Sequence, residues 1–235
     1  MSLKKAMIFA AGRGERMRPL TDACPKPLLE AGGKPLIVWQ IERLARAGFQ
    51  TIVINHAWLG AQIEAALGDG SRWQVELRYS AEHEALETAG GIVQALPLLE
   101  DDGASEVFAA VAGDVYADFD YATLHAHADR LRALPKPGMH LVMVPNPTFH
   151  PNGDFALVDG VLSLDVEPRV TFGSIGLYDT RMFRDLPRGT RRALTPYYVD
   201  TITRGLACGE LYEGLWENVG TPAQLQTLDR QLRSR

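Results

Sequence analysis

The chain of 235 residues is poor in cysteine and contains only Cys24 and Cys208. These two residues lie far apart and belong to no ligand motif. A disulfide framework needs several spaced cysteines, and a thiolate zinc site needs at least one close pair, so neither is indicated. We predict two free thiols.

The sequence also lacks long apolar runs and an excess of positive charge. The apolar stretch before Gly12 is too short for a signal peptide, and no other segment is long enough to span a bilayer. The formal net charge of −5 argues against nucleic acids or anionic membranes as partners, because such binding depends on excess Lys and Arg. We therefore expect a cytoplasmic protein with neither kind of partner.

Two well-known glycine signatures are missing from the loop that begins at Gly12. A dinucleotide fingerprint needs a third glycine where Met17 stands, and a Walker loop needs Gly-Lys followed by Ser or Thr. Internal repeats, low-complexity tracts and linkers are also missing. The chain is long enough for one substantial core, and we expect one domain spanning residues 1–235.

The sequence does contain a glycine loop surrounded by cations. Gly12 and Gly14 follow an apolar segment that is typical of a buried strand, and they allow a sharp turn that brings backbone N–H groups close to a phosphate. Arg16 and Lys26 add positive charge to the same region. An ordinary turn before a helix would explain the two glycines but not the cations, so the pattern favours a small anionic ligand.

Lys26 stands between Pro25 and Pro27. Each proline fixes its own φ and disfavours helix at the residue before it, so we predict that the lysine lies in an extended segment of low entropy. A cation that is held rigidly suits a phosphate group.

Apolar runs alternate with helical periodicity through the first half of the chain, which indicates a largely parallel sheet with helices on both faces. The predicted strands cover residues 6–11, 51–55, 76–79 and 107–112, and the predicted helices lie near residues 35–47, 60–67 and 88–98. The second half predicts strands at 140–144, 155–158, 161–165 and 170–178, and helices at 182–186, 197–205 and 221–233.

Ligands of such sheets bind beyond the carboxyl ends of the strands. Gly12, Asn55, Glu82 and Asp114 all follow predicted strands. We therefore expect them at one edge of the sheet.

The combination of Gly-x-Gly-x-Arg at residues 12–16 with Pro-Lys-Pro at residues 25–27 resembles the signature of the sugar-nucleotidyltransferases, the nucleotide-diphospho-sugar transferase superfamily. A late motif of the same superfamily is present as Trp-Glu-Asn-Val-Gly-Thr at residues 216–221. The resemblance implies a three-layer α/β/α, Rossmann-like fold with a mixed, mainly parallel central sheet. Its nucleotide-binding half would cover about residues 1–115, and its sugar-binding half about residues 116–235.

The resemblance also implies roles for individual residues. Lys26 and Arg16 would be catalytic, and Asp114 with Asn218 would hold Mg²⁺. The residues implied for binding the nucleoside triphosphate are Ala11, Gly12, Arg13, Gly14, Glu15, Arg16, Lys26, Glu82, Glu87 and Thr88.

Within the superfamily the chain is most similar to the N-acetylmuramate 1-phosphate uridylyltransferases of cell-wall recycling, and the similarity extends over nearly its whole length. The segments that carry it are residues 53–60, 67–72, 86–92 and 95–99. The substrates implied are UTP and a sugar 1-phosphate. Contacts to the sugar phosphate would come from Ala112, Asp154, Phe155 and Glu167.

Two other functions remain open from the sequence. A guanylyltransferase acting on mannose or heptose 1-phosphate shares the glycine loop and Lys26, and a regulatory domain could bind a nucleotide sugar without turnover.

We expect a monomer or a weak homo-oligomer. His125 and His127 are predicted on a helix surface rather than at a metal, because no carboxylate ligand pattern stands beside them.

Overall fold

The computed structural model describes residues 3–101 and 106–235, and its main feature is one nine-stranded sheet. The strands, including those of two small ribbons, are β1 Lys5–Phe9, β2 Glu30–Ala31, β3 Lys34–Pro35, β4 Thr51–His56, β5 Glu76–Ala81, β6 Val107–Ala112, β7 Val115–Ala117, β8 Met139–Val144, β9 Phe155–Val158, β10 Val161–Ser163, β11 Arg169–Asp179, β12 Ala207–Leu211 and β13 Trp216–Asn218. The α-helices are α1 Leu36–Arg46, α2 Gly60–Leu67, α3 Glu87–Leu99, α4 Leu124–Arg132, α5 Thr195–Thr203 and α6 Pro222–Arg233.

The large sheet has the order β5-β4-β1-β6-β11-β8-β12-β10-β9. The pairs β5–β4, β4–β1, β1–β6 and β8–β12 are parallel, whereas β11 and β10 pair antiparallel with their neighbours. Seven of the nine strands therefore point the same way. The predicted mixed, mainly parallel sheet is confirmed.

Helices cover both faces of this sheet, which confirms the three-layer arrangement. Successive residues of β1 point to opposite faces, so Ile8 packs in one apolar cluster and Met7 in another. The Ile8 cluster takes side chains from α1, α2 and α4, and the Met7 cluster takes them from α3 and α5. Burial on both faces explains why the parallel strands are almost continuously apolar in sequence.

The C-terminal helix α6 returns to the N-terminal part of the chain. Thr221 caps it by accepting a hydrogen bond from the Gln224 backbone, and Pro222 occupies the first turn, where its missing N–H costs nothing. Leu228 of α6 packs in a third cluster with Met17, and Asp229 accepts a hydrogen bond of 2.9 Å from the Gly32 N–H. This contact brings the end of the chain close to the glycine loop.

The predicted turn between β9 and β10 is confirmed as a two-residue hairpin. Asp159 and Gly160 both have positive φ, at 49° and 78°. Such angles match the right-handed twist of the paired strands, and Asp and Gly tolerate them best. The thiols of Cys24 and Cys208 are free, as predicted.

Two local predictions are wrong. Lys26 is not extended but begins a 3₁₀ turn, Lys26–Leu28, whose hydrogen bonds outweigh the bias that Pro27 imposes on the residue before it. The helix predicted at residues 182–186 is a 3₁₀ turn at Thr180–Phe183, with Asp179 accepting a hydrogen bond from the Arg181 backbone at its start.

In the described residues, no helix is both long and apolar enough to cross a membrane.

A segment of the second half is attached to the start of α3. The Ala89 and Gly90 N–H groups donate to the Arg192 carbonyl at 3.0 and 3.1 Å, and the Arg192 N–H donates to the Leu86 carbonyl at 2.9 Å. The first N–H groups of a helix have no partner within the helix, so this segment acts as the N-terminal cap of α3.

We predict that Gly90→Ala destabilises the protein, although alanine favours a helix over glycine by about 1 kcal/mol. A Cβ atom at Gly90 would lie 2.4 Å from the Thr190 carbonyl oxygen, a backbone atom that cannot rotate away. The overpacking should outweigh the propensity gain and cost about 2 kcal/mol in the free energy of unfolding, measured by urea denaturation. Gly12→Ala, whose Cβ meets nothing within 4 Å, is the control and should leave stability unchanged. Equal stability of the two variants would contradict the prediction.

Candidate active site

A cleft of about 340 Å³ opens at the carboxyl ends of β1, β4 and β6. This is the edge of the sheet at which the sequence predicted a ligand. Seven of the predicted site residues line it: Ala11, Gly12, Lys26, Glu87, Thr88, Ala112 and Asp114.

The glycine loop folds into a tight turn at the rim of this cleft. Gly14 adopts a left-handed conformation with φ 67°, and its carbonyl accepts hydrogen bonds from the Met17 N–H at 2.9 Å and the Thr21 hydroxyl at 2.8 Å. A Cβ at Gly14 would lie 3.0 Å from a Thr21 methyl and 3.1 Å from Lys26 Cβ, so both the angle and the space favour glycine. Gly12 has open space instead, which leaves its backbone accessible to a ligand.

Lys26 lies inside the cleft and is only 8% exposed. Its ammonium group forms a salt bridge with Asp114 Oδ2. Removing an ammonium group from water is costly unless a carboxylate compensates it, so the salt bridge with Asp114 holds this lysine in place. Asp114 follows β6 through Gly113, whose N–H donates to the Phe9 carbonyl at 2.9 Å.

The late motif lies directly beside Asp114. Strand β13 pairs with β7 so that Asn218 is opposite Val115, and the Val219 N–H donates to the Asp114 carbonyl at 3.0 Å. The two predicted metal ligands are thus brought together from distant parts of the sequence. Burial raises the pKa of the neighbouring Glu217, which pairs with Tyr116.

The two motifs also meet at Arg16. A Cβ at Gly220 would lie 3.6 Å from the guanidinium carbon of Arg16. Arg13 stacks on the ring of Trp58 at 4.5 Å, and Trp58 donates to the Thr21 carbonyl at 3.0 Å. Stacking on an aromatic face holds the Arg13 guanidinium at the rim, and Arg13, Glu15 and Arg16 all remain exposed.

Glu82 is buried beneath the cleft rather than exposed along it. Its Oε1 accepts a hydrogen bond of 2.7 Å from the Asn55 amide, and its Oε2 accepts one of 2.8 Å from the Leu86 N–H. Asn55 Oδ1 in turn accepts from the Ala10 N–H at 3.0 Å. Burial raises the pKa of the Glu82 carboxyl. These bonds tie the end of β1 to the loop before α3, which makes Glu82 a positioning residue. Its predicted contact with the nucleoside triphosphate stays a prediction.

Arg191 is a cleft residue that the sequence did not predict. Its Nε donates to Glu87 Oε1 at 3.0 Å, and both side chains are exposed. Arg191 lines the cleft because the neighbouring Arg192 anchors its segment to α3. The signal in the sequence was the basic run of Arg188, Arg191 and Arg192, whose position over α3 only the fold reveals.

Three of the four residues predicted to contact a sugar phosphate do not line this cleft. Asp154 Oδ2 accepts a hydrogen bond of 2.8 Å from the Phe172 N–H, Phe155 is buried against Tyr198, and Glu167 is exposed and forms an ion pair with Arg169. Their predicted role therefore stays a prediction, whereas Ala112 lies in the cleft.

The family model described as nucleotidyl transferase matches residues 5–148. This stretch contains the glycine loop, Lys26 and Asp114, and the chain therefore belongs to the nucleotidyl transferase family. Two relatives resemble it over nearly their entire length. N-acetylmuramate alpha-1-phosphate uridylyltransferase of Neisseria meningitidis serogroup B is 47% identical over 94% of this chain and 95% of its own, and the protein of the same name from Caulobacter vibrioides is 34% identical over 93% of each. The resemblance predicted from the motifs is confirmed.

Solved structures support the same fold. A Bacillus anthracis chain assigned as a glucose-1-phosphate thymidylyltransferase superposes with a TM-score of 0.80 at 23% identity, covering 99% of this chain and 96% of that chain. HddC from Yersinia pseudotuberculosis, complexed with GMP-PN, superposes with a TM-score of 0.78 at 18% identity, covering 97% of this chain and 99% of that one.

We predict that Asn55→Ala destabilises the protein by about 2 kcal/mol, because it leaves the Ala10 N–H and one oxygen of the buried Glu82 carboxylate without hydrogen bonds. Urea denaturation would measure the loss. Asn152→Ala is the matched control, since Asn152 is exposed. If the two variants unfold at the same urea concentration, the hydrogen bonds around Glu82 do not stabilise the fold at the cleft.

Proposed function

We propose that this chain transfers UMP from UTP to N-acetyl-α-muramate 1-phosphate, giving UDP-N-acetylmuramate and pyrophosphate. The observation that carries the reaction class is the convergence of the glycine loop, Lys26 and Asp114 on one cleft. The choice of substrates is supported by the Neisseria relative, which is similar over nearly the full length of both chains.

The acceptor needs little help from a general base. A phosphate monoester has a second pKa of about 6 and is largely dianionic near neutral pH. One of its oxygens attacks the α-phosphorus of UTP, the bond from that phosphorus to the β-bridging oxygen breaks, and pyrophosphate leaves with the electron pair. The main barriers are the repulsion between two anions and the charge that develops on the leaving group, so positioned cations provide the acceleration.

Lys26 is the residue best placed to provide such a cation. Its ammonium group is desolvated and already oriented by Asp114, so it loses little entropy when it donates to the α-phosphate and the incoming phosphate oxygen. Arg16 and the backbone N–H groups of the loop from Gly12 to Gly14 would hold the β- and γ-phosphates at the rim.

Asp114 and Asn218 are suited to Mg²⁺. Together they offer a carboxylate oxygen and an amide oxygen, the hard donors that this ion prefers, and Asp114 retains Oδ1 while Oδ2 binds Lys26. When bound, Mg²⁺ would neutralise charge on the phosphate oxygens and align them.

The second candidate is a guanylyltransferase that acts on mannose 1-phosphate. The observation that favours it is the mannose-1-phosphate guanyltransferase of Schizosaccharomyces pombe, which is 30% identical over 95% of this chain and 62% of its own. Its identity is lower than that of the Neisseria relative, and the match covers a smaller share of the relative's own length.

Release of pyrophosphate with Mg²⁺ tests the proposal, crossing UTP and GTP against N-acetylmuramate 1-phosphate, N-acetylglucosamine 1-phosphate and mannose 1-phosphate. We expect rapid release only with UTP and the muramate. Release with GTP and mannose 1-phosphate would establish the second candidate instead. Binding of nucleotide sugar without release in any combination would indicate a sensor domain.

Lys26→Ala should lower kcat/KM by about 100-fold or more, the usual effect of removing one group that stabilises a transition state. The fold should survive, because the Asp114 side chain that loses its partner is 31% exposed and can be hydrated. Lys34→Ala is the matched control: Lys34 forms an ion pair with Glu42 and stacks on Trp39, away from the cleft. Equal turnover of the two variants at equal Tm would remove Lys26 from the mechanism.

A further inference from the structure

A second cluster of ligating side chains lies outside the cleft. It consists of His127 on α4, His140 on β8 and Glu210 on β12. His140 lies near the amino end of β8, whereas the cleft opens at the carboxyl ends of strands that run in the same direction. None of the three residues lines the cleft, so the proposed transfer reaction leaves the cluster without a role.

The ligating atoms of the cluster converge. One nitrogen from each histidine and one oxygen from Glu210 lie within 4.8 Å of one another. The distance to Glu210 Oε1 is 3.2 Å from His140 Nε2 and 3.7 Å from His127 Nε2. A tetrahedral zinc ion with bonds of about 2.0–2.1 Å separates neighbouring ligand atoms by roughly 3.3 Å. The two separations from Glu210 are therefore close to this spacing.

A second feature of the cluster is the burial of His140. His140 is only 2% exposed, and its Nδ1 has no hydrogen-bond partner among the described residues. A buried imidazole with an unpaired nitrogen is uncommon, because the lost hydration is not repaid. The hydrogen bond of this ring within the cluster joins Nε2 to Glu210 and leaves Nδ1 as a buried nitrogen whose hydrogen-bonding capacity is unsatisfied.

The two imidazole rings are stacked, with centroids 3.8 Å apart and planes 16° from parallel. A metal binds a histidine in the plane of its ring, so coordination by both nitrogens requires one ring to leave the stack. The His127 side chain is 22% exposed and can turn, whereas the His140 side chain is 2% exposed and packed. His127 therefore lies where an ion would enter from solvent.

We propose that His127, His140 and Glu210 form a site for a divalent transition metal such as Zn²⁺, with a further coordination position left to water. Two imidazoles and one carboxylate suit zinc and its neighbours. They do not suit Mg²⁺, which prefers oxygen donors alone and would use Asp114 and Asn218. A bound ion would join α4 to two strands of the second half, so the site would stabilise the fold.

The test measures zinc binding by equilibrium dialysis in the full chain carrying Cys24→Ser and Cys208→Ser, which removes both thiols as competing ligands. We expect one Zn²⁺ per chain, a higher Tm with Zn²⁺, and no competition from excess Mg²⁺. With Co²⁺ in its place, the visible absorption of a tetrahedral site should appear.

His127→Ala and Glu210→Gln should each weaken zinc binding by about 100-fold, since even the outer-shell partners of metal ligands contribute roughly 10–100-fold. His127 is used because it lies near the surface, whereas loss of the packed His140 would disturb the core. The matched control is His125→Ala on the same helix, whose ring bonds the Ala47 carbonyl at 2.9 Å, outside the cluster. Unchanged binding in both variants, or no bound zinc in the parent protein, would overturn the proposal. Neither outcome of the zinc-binding measurement depends on the transfer reaction, because the measurement contains no substrate of that reaction.

Discussion

The salt bridge between Lys26 and Asp114 is the constraint on which the rest of the cleft depends. A lysine that is 8% exposed needs a compensating carboxylate, because desolvating an unpaired ammonium group costs several kcal/mol, a large part of the stability of a typical domain. The 3₁₀ turn that begins at Lys26 and the end of β6 must therefore stay in register. Asp114 also accepts the backbone bond from Val219, so the same constraint fixes the late motif.

A second set of contacts joins the two halves of the chain. The Arg192 carbonyl caps α3 and places Arg191 opposite Glu87, and α6 packs against the N-terminal region through Leu228 and Asp229. Both contacts satisfy backbone N–H groups that would otherwise lack partners. The cleft is therefore lined by Arg191 of the second half together with segments of the first half.

Much of the fold could be predicted because its signals are local. Helix α2 begins and ends where it was predicted, and Gly68 at its end has a positive φ of 67°, which favours glycine. The strands of the first half are short apolar runs typical of a buried parallel sheet. The prediction for Lys26 was wrong because two backbone hydrogen bonds of a turn outweighed the steric bias of a proline. Glu82 was predicted to contact the nucleotide, yet its side chain is buried, and one of its two hydrogen bonds comes from Asn55, 27 residues away.

The sequence by itself determined the alternation of strands and helices, the glycine loop and the motifs of the family, since each depends on residues that are neighbours in the chain. Only the tertiary structure decided which side chains meet. It placed Arg191 in the cleft, left Asp154 and Glu167 outside it, and gathered His127, His140 and Glu210 from one helix and two strands. Such contacts follow from strand order and helix packing, which depend on the burial of the whole chain and not on the identity of nearby residues.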